Sequence, residues 1–381
     1  MKIVVLGGGF GGITAALELS RGLGRDHAIT LIERAPRFMM GLRNLWMVTG
    51  KGSRRDGERS LAALRAEGAE IRQDTVRAID IGARIVRTEA GRLSFDYLIV
   101  ALGAEPRPDL VPGFSPAAYN LYDVADAERL SRAIAEFRGG RIVIAILGVP
   151  YKCPPAPYEA AMMLDDVFRR RAMRGGVQIQ VYTPQPMSLP VVGPQNCAQV
   201  EGLLAAKGIT FTPNRKVARL EGSAAIFDDG ARVEGDLLIA VPPHRPPAVV
   251  KESGLQMRGD WVAADPATLR ASADGVFAVG DVNEIPLANG LPLPKAGVFA
   301  EGQARVAASQ IVAELRKIPT PSTFDGVGHC FIETGGGLAT LVQGRFLAAP
   351  SPEIVIAPPS EEAFQQKIAF ERSRLTSWFG S

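Results

Sequence analysis

"MKIVVLGGGFGGITAALELSRGLGRDHAITLIER", residues Met1–Arg34, decides the fold. Lys2 to Leu6 is a short β-rich apolar run of the kind that forms a buried parallel strand. Gly7-x-Gly9-x-x-Gly12 follows at once, then a helix-compatible stretch from Ile13 to Arg21, then a second apolar run ending in Glu33. The first glycine of such a loop permits a tight turn and the second lets the backbone approach a pyrophosphate. The third lets helix and strand pack closely, with the phosphates at the helix N-terminus. Glu33 is placed to accept from a ribose hydroxyl. Three glycines alone are a weak signal; strand, glycines, helix, strand and acid together predict a dinucleotide-binding α/β unit.

The bulk numbers agree with a soluble globular chain of two or three domains. It has 381 residues, 46% hydrophobic and 22% charged, with 43 basic and 40 acidic side chains for a net +3. Nucleic acid is not expected as a partner. Three cysteines do not make a disulfide scaffold, and three scattered histidines do not make a metal cluster, so no metal is expected. No apolar run reaches the ~18 residues that span a bilayer. The N-terminal run is too short for a signal peptide, so a cytoplasmic or peripheral membrane location is expected.

Working outward, "RIVRTEAGRLSFDYLIVALGAEP" (Arg84–Pro106) reads as paired strands, then a buried strand closed by Gly103. A proline-rich linker follows, and "RIVIAILGVPYKCPPAPYEAAM" (Arg141–Met162) starts a second strand–loop–helix pattern. "GVFAVGDV" (Gly275–Val282) returns a short strand ending in Gly280-Asp281, and a helix starts near Ala296. The expected fold is α/β, with two Rossmann-like dinucleotide-binding domains: 1–108 and 244–318 for the first, interrupted by 109–243 for the second. Residues 319–381 form a C-terminal region.

The second loop is wrong for a nucleotide. Pro154, Pro155 and Pro157 donate no N–H and remove the phosphate-binding donors. Proline suits the first turn of a helix, which places Cys153 near a helix N-terminus. The helix dipole and Lys152 are both expected to lower the Cys153 pKa and favour its thiolate. Cys197 is expected to be structural. Glu159 is read either as a proton shuttle or as a solvated helix-face carboxylate. Lys295 is read as a cation near a flavin or an acceptor, or as a surface residue, and His329 as an aid to thiolate formation or a satisfied loop histidine. Ala363–Phe379 is read as a helix that touches a membrane surface, or one that packs on its own protein or a dimer partner.

These motifs resemble the two-dinucleotide-binding flavoproteins. Gly7, Gly9, Gly12 and Glu33 resemble their FAD fingerprint, "YLIVALGAEP" their "ATG" segment with Leu102 in place of Thr, and "VFAVGDV" their second FAD motif. The resemblance implies bound FAD with Asp281 on its ribityl chain. "KCPPAPYE", "LPKAGVFAEGQA", "GHCFIETGGG" and "KIAFERSRLTSWFG" resemble segments of sulfide:quinone oxidoreductases and of flavocytochrome c sulfide dehydrogenase flavoproteins. Cys153 and Cys330 then correspond to the redox cysteines. No cysteine precedes Cys153, so the FAD is expected to be non-covalent.

What the resemblance implies is a flavin-dependent enzyme. Hydrosulfide attacks a Cys153–Cys330 disulfide, Cys330 faces the flavin, and the electrons go on to a quinone. The alternatives are a cytochrome c acceptor, an NAD(P)H-dependent quinone or disulfide reductase, and a non-catalytic flavin-bound sulfur carrier.

Overall fold

In the computed structural model, which describes residues 1–319 and 323–380, the apolar runs become the centres of two parallel sheets. Strands β1 (Lys2–Leu6), β2 (Ala28–Glu33), β3 (Ala69–Gln73) and β4 (Tyr97–Val100) line up in the order β4-β1-β2-β3. Ile3 of β1 stands between Ile29 and Tyr97, and all these pairings are parallel. The second sheet has the order β5-β9-β6-β7-β8: β5 (Ala118–Asn120), β6 (Gly140–Ile146), β7 (Val177–Tyr182), β8 (Thr210–Thr212) and β9 (Leu237–Val241). It too is parallel throughout. β10 (Val276–Ala278) then returns to the first sheet beside β4. A strand buried on both faces has no polar alternation to display, which is why β1 and β6 read as continuous apolar runs.

Helix α1 (Phe10–Leu23) begins inside the glycine fingerprint, earlier than the Ile13 start expected from sequence. Its close seat on β1 depends on Gly12, where a Cβ would lie 1.7 Å from the Gly7 carbonyl oxygen. The two linkers between the sheets meet: Glu105–Pro106 pairs antiparallel with His244–Arg245. Prolines suit such a short edge ladder.

The C-terminal region is an antiparallel sheet of β11 (Val327–Gly335), β12 (Leu338–Arg345) and β13 (Glu353–Ile356), of which only a loop around Cys330 was foreseen. Residues 320–322 and 381 of this expected region lie outside the described residues. Three helices complete the frame of the site: α2 (Leu42–Val48), α3 (Ala156–Arg170) and α4 (Gly297–Arg316). The final helix, α5 (Glu361–Phe379), is capped by the Ser360 side chain, which accepts from Ala363 N–H at 3.1 Å, and by Gly380 at φ +85°.

α5 packs on its own protein. Trp378 meets Phe10 and Phe38 edge-on and Phe379 stacks on Phe38. Leu375, Trp378 and Phe379 are buried, and each such apolar side chain contributes ~1.5–3 kcal/mol. Side chains already out of water gain little more from lipid. Of the other apolar side chains on this helix, Ile368 stays exposed and Phe364 half-buried. No helix among the described residues is long and apolar enough to cross a membrane.

Candidate active site

The glycine loop shows the physical division expected of its residues. Gly7 has φ +102°, and a Cβ there would lie 2.3 Å from the Ala101 carbonyl oxygen. Gly9 is exposed and has nothing within 4 Å of a built Cβ, so its backbone faces open space. Glu33 ends β2 beside the loop and accepts from Gly8 N–H at 2.6 Å and Ala35 N–H at 2.8 Å. Gly103, at φ +67°, also borders open space. An extended dinucleotide fits this cradle: it is empty of side chains where a pyrophosphate would need backbone contact and carries an acid at its rim.

Gly280 closes the same edge of the sheet. Its N–H donates to the Gln303 side chain at 2.6 Å, and Val279 and Ala300 pack on Gly11 of the first loop. Burial raises the Asp281 carboxyl, while Lys295 and Lys152 act to lower it. Lys295 is not on the surface. It is buried, its Nζ donates to the Asn283 carbonyl at 2.9 Å and lies 3.5 Å from the Trp261 ring centroid. Burial pulls its pKa down to about 8, against the attraction of Asp281 and Glu284.

The second loop meets this edge through Cys153, whose N–H donates to the Lys295 carbonyl at 2.7 Å. Cys153 has φ +50°, an uncommon conformation for a side-chain-bearing residue. It precedes the N-terminus of α3, as expected from the prolines, and Ala156 N–H donates to its carbonyl at 3.0 Å. Its predicted acidity is not found. Cys153 keeps an accessible face, yet desolvation by the surrounding protein pushes its thiol up to about 12, with Glu159 and Asp281 pushing the same way. Lys367, not Lys152, is the cation that opposes them. Lys152 instead lies near Asp281 and Glu105, and its Nζ reaches the Ala104 carbonyl at 3.5 Å.

Cys330 sits on β11, an edge strand against which α3 packs. Alternation along β11 separates two functions. Cys330 and Ile332 turn toward the core that contains Tyr151 and Ala156. His329 and Phe331 turn the other way, into a cluster with Phe370 that continues to Phe10. His329 is thus an aromatic neighbour, and burial lowers its pKa. Burial raises the Cys330 thiol strongly, and the charges of Cys153 and Glu159 add to the push. Cys153 and Cys330 are both free thiols here. Cys197 is buried on the Pro194–Ala206 helix, in the interior of the second sheet's layer.

Glu159 is not a solvated carboxylate. It is buried, its Oε1 accepts from Glu333 N–H at 2.9 Å and from Lys367 Nζ, and burial raises its pKa despite that cation. Lys367 also reaches Glu333 Oε2 at 3.1 Å, where Trp46 Nε1–H donates at 2.8 Å. Sequence reading did not single out Lys367, although a signal was present: Ala363, Lys367, Glu371 and Leu375 recur every fourth residue and form one buried stripe. Glu371 pairs with Arg43 on the same face.

A pyridine nucleotide-disulphide oxidoreductase family model matches residues 1–308. The chain is 28% identical to a sulfide-quinone reductase of Aquifex aeolicus over 97% of its own length and 89% of that protein. It is 25% identical to a mitochondrial sulfide:quinone oxidoreductase of Dictyostelium discoideum over 91% of its length and 78% of that protein. The crystal structure of the sulfide:quinone oxidoreductase from Aquifex aeolicus superposes with a TM-score of 0.87 at 26% identity, covering 98% of this chain and 91% of that one. The parallel sheets, the glycine cradle and these likenesses agree: the chain belongs to the pyridine nucleotide-disulphide oxidoreductase family and, within it, is similar to the sulfide:quinone oxidoreductases.

Proposed function

We propose that this protein is a flavoenzyme that oxidises hydrosulfide through Cys153 and Cys330 and passes the electrons to a quinone. The observation that carries the reading is the content of the second loop. Its residues Pro150, Pro154, Pro155 and Pro157 carry no N–H, and the Cys153 and Ala156 N–H groups are spent within the protein, on the Lys295 and Cys153 carbonyls. Its glycine, Gly148, is closed by Pro243, whose Cβ lies 2.7 Å from where a Gly148 Cβ would be. Where a nicotinamide dinucleotide would lay its phosphates, there is a cysteine whose helix packs on the strand of a second cysteine.

The Gly7–Gly12 loop with Glu33 would hold the ADP half of FAD, and Gly280 and Asp281 its ribityl chain. No cysteine precedes Cys153, which supports a non-covalent flavin. When bound, the flavin supplies a two-electron sink.

In the oxidised pair, hydrosulfide attacks the Cys153 sulfur. The S–S bond to Cys330 breaks, Cys153 becomes a persulfide and Cys330 a thiolate. Lys367 is the buried cation that steadies the thiolate, and Glu159 the carboxylate placed to accept the substrate's proton. Lys295, its pKa drawn down to about 8 by burial, stays mostly protonated at physiological pH and sits beside Asp281 at the flavin edge. On the opposite face of β11, the half-buried rings of Phe10, Phe331 and Phe370 form an aromatic surface on which a planar acceptor would stack. Arg374 lies 3.5 Å from the Phe370 ring centroid and pairs with Glu301, supplying a polar edge to that surface. The aromatic surface favours quinone over a cytochrome c acceptor. A peripheral membrane position would bring α5 and this surface to the quinone.

The test is anaerobic flavin bleaching with sulfide, NADH and NADPH in parallel, followed by addition of quinone or cytochrome c. Sulfide should bleach at least about a hundredfold faster than either nucleotide, and quinone should restore the colour. Comparable bleaching by NADH would replace this reading with a nucleotide-dependent quinone reductase. No turnover with any donor would leave a flavin-bound sulfur carrier.

A further inference from the structure

Behind the cysteine pair lies an unbroken line of charged groups. Lys367 Nζ donates to Glu159 Oε1 and to Glu333 Oε2, and Glu333 Oε1 accepts from Lys51 Nζ. The side chains of Glu159, Lys367 and Glu333 are 3%, 3% and 0% exposed, whereas that of Lys51 is 21% exposed. Lys51 opens onto a cleft of about 520 Å³ between α2 and α5, walled by Trp46, Phe364, Ile368 and Arg372. The inner end, Glu159, stands one turn into the helix that Cys153 precedes and touches the backbone of the strand that carries Cys330. The line therefore runs from the sulfur chemistry to water.

Stability alone is a poor account of it. Buried ion pairs are replaced by apolar side chains of similar volume at little or no cost, because burying the charges consumes what their attraction supplies. Here an acid, a base, an acid and a base alternate, and the last alone of the four is substantially wetted. Asp166, 3.8 Å from Lys51 and paired with Arg170, flanks the outlet.

We propose that Glu159, Lys367, Glu333 and Lys51 form a proton relay from the cysteine pair to the cleft beside α5. The inference rests on the sulfide-oxidation reading above. Attack of hydrosulfide leaves its proton on the Cys153 persulfide and an electron pair on Cys330. That proton must leave before the terminal sulfur reacts again. Glu159 accepts it. Lys367 passes one of its own protons to Glu333 and is refilled from Glu159; Lys51 releases one to water and is refilled from Glu333. One proton enters, one leaves, and every group regains its charge.

Lys51 is the informative position, because it lies at the far end from the cysteines. Lys51→Arg keeps the charge and the pairing, but a guanidinium does not give up its proton; Lys51→Met removes both. Both variants should retain flavin, and Lys51→Arg should keep the wild-type melting temperature. Both should slow sulfide-driven flavin reduction about tenfold with an increased solvent deuterium isotope effect. Proton release to an indicator dye in weakly buffered stopped flow should slow by the same factor, and methylamine should rescue Lys51→Met. A Lys51→Arg variant as fast as wild type would show that only the charge matters and overturn the relay. Slowing of both variants without rescue or isotope effect would assign a structural role and also overturn it. If sulfide bleaches the wild type and neither variant differs, the relay alone fails. If sulfide does not bleach the wild type, the sulfide-oxidation reading fails and the relay with it.

Discussion

The two nucleotide-type loops of this protein start from the same frame and end differently. Each leaves the C-terminal end of an interior parallel strand, β1 or β6, and enters a helix, α1 or α3. In the first, Gly9 borders open space and Gly8 N–H meets an acid at the rim. In the second, Gly148 is closed by Pro243 and the backbone of Cys153 is tied to Lys295. A Rossmann-like frame fixes a loop at the mouth of a sheet, and the loop's own residues decide what can be held there.

The comparison breaks most visibly at the glycines. Gly12→Val forces a side chain into the Gly7 carbonyl and should yield protein with less than about a tenth of its flavin. Gly148→Ala, in the second loop, should keep flavin near the wild-type ratio, read from the visible spectrum against protein. Equal flavin loss from both would mean that the two loops do similar work.

The next effect is on stability. Lys367→Met leaves the Glu159 and Glu333 carboxylates buried without their shared cation and should cost ~3–5 kcal/mol in urea unfolding. A loss below about 1 kcal/mol would show that the cluster is already hydrated.

A smaller effect concerns Cys153 itself. A thiol held up near 12 is almost entirely protonated at pH 8, and only the thiolate alkylates. In the reduced enzyme its reaction with iodoacetamide should be at least about tenfold slower than that of free cysteine at pH 8. The rate should climb roughly tenfold per pH unit toward pH 11. A rate above that of free cysteine would restore the low pKa read from the helix N-terminus and Lys152.

Much of this was legible in the sequence because local signals carried it. β1, α1, β6 and α3 announce themselves by apolar runs, glycines and prolines, and the special content of the second loop follows from which residues lack an N–H. What escaped depended on contacts distant in the chain. Nothing near Cys153 in sequence says that its counter-charge is Lys367, and the desolvation that raises its thiol is a property of packing. Lys295 was ambiguous for the same reason, since its burial depends on Trp261 and Asn283. The exception is the four-residue recurrence from Ala363 to Leu375, a readable stripe whose charged members disguised it.

The central claim is that Cys153 and Cys330 act as one unit in place of a second nucleotide. The direct measurement is stopped-flow bleaching by sulfide of Cys153→Ser, Cys330→Ser and the double variant at matched flavin content, with Cys197→Ser as the control. Each single variant should lose at least about a thousandfold, the double should be little worse than either, and Cys197→Ser should stay within about twofold of wild type. A near-normal rate in Cys153→Ser, or losses that multiply in the double variant, would contradict the account.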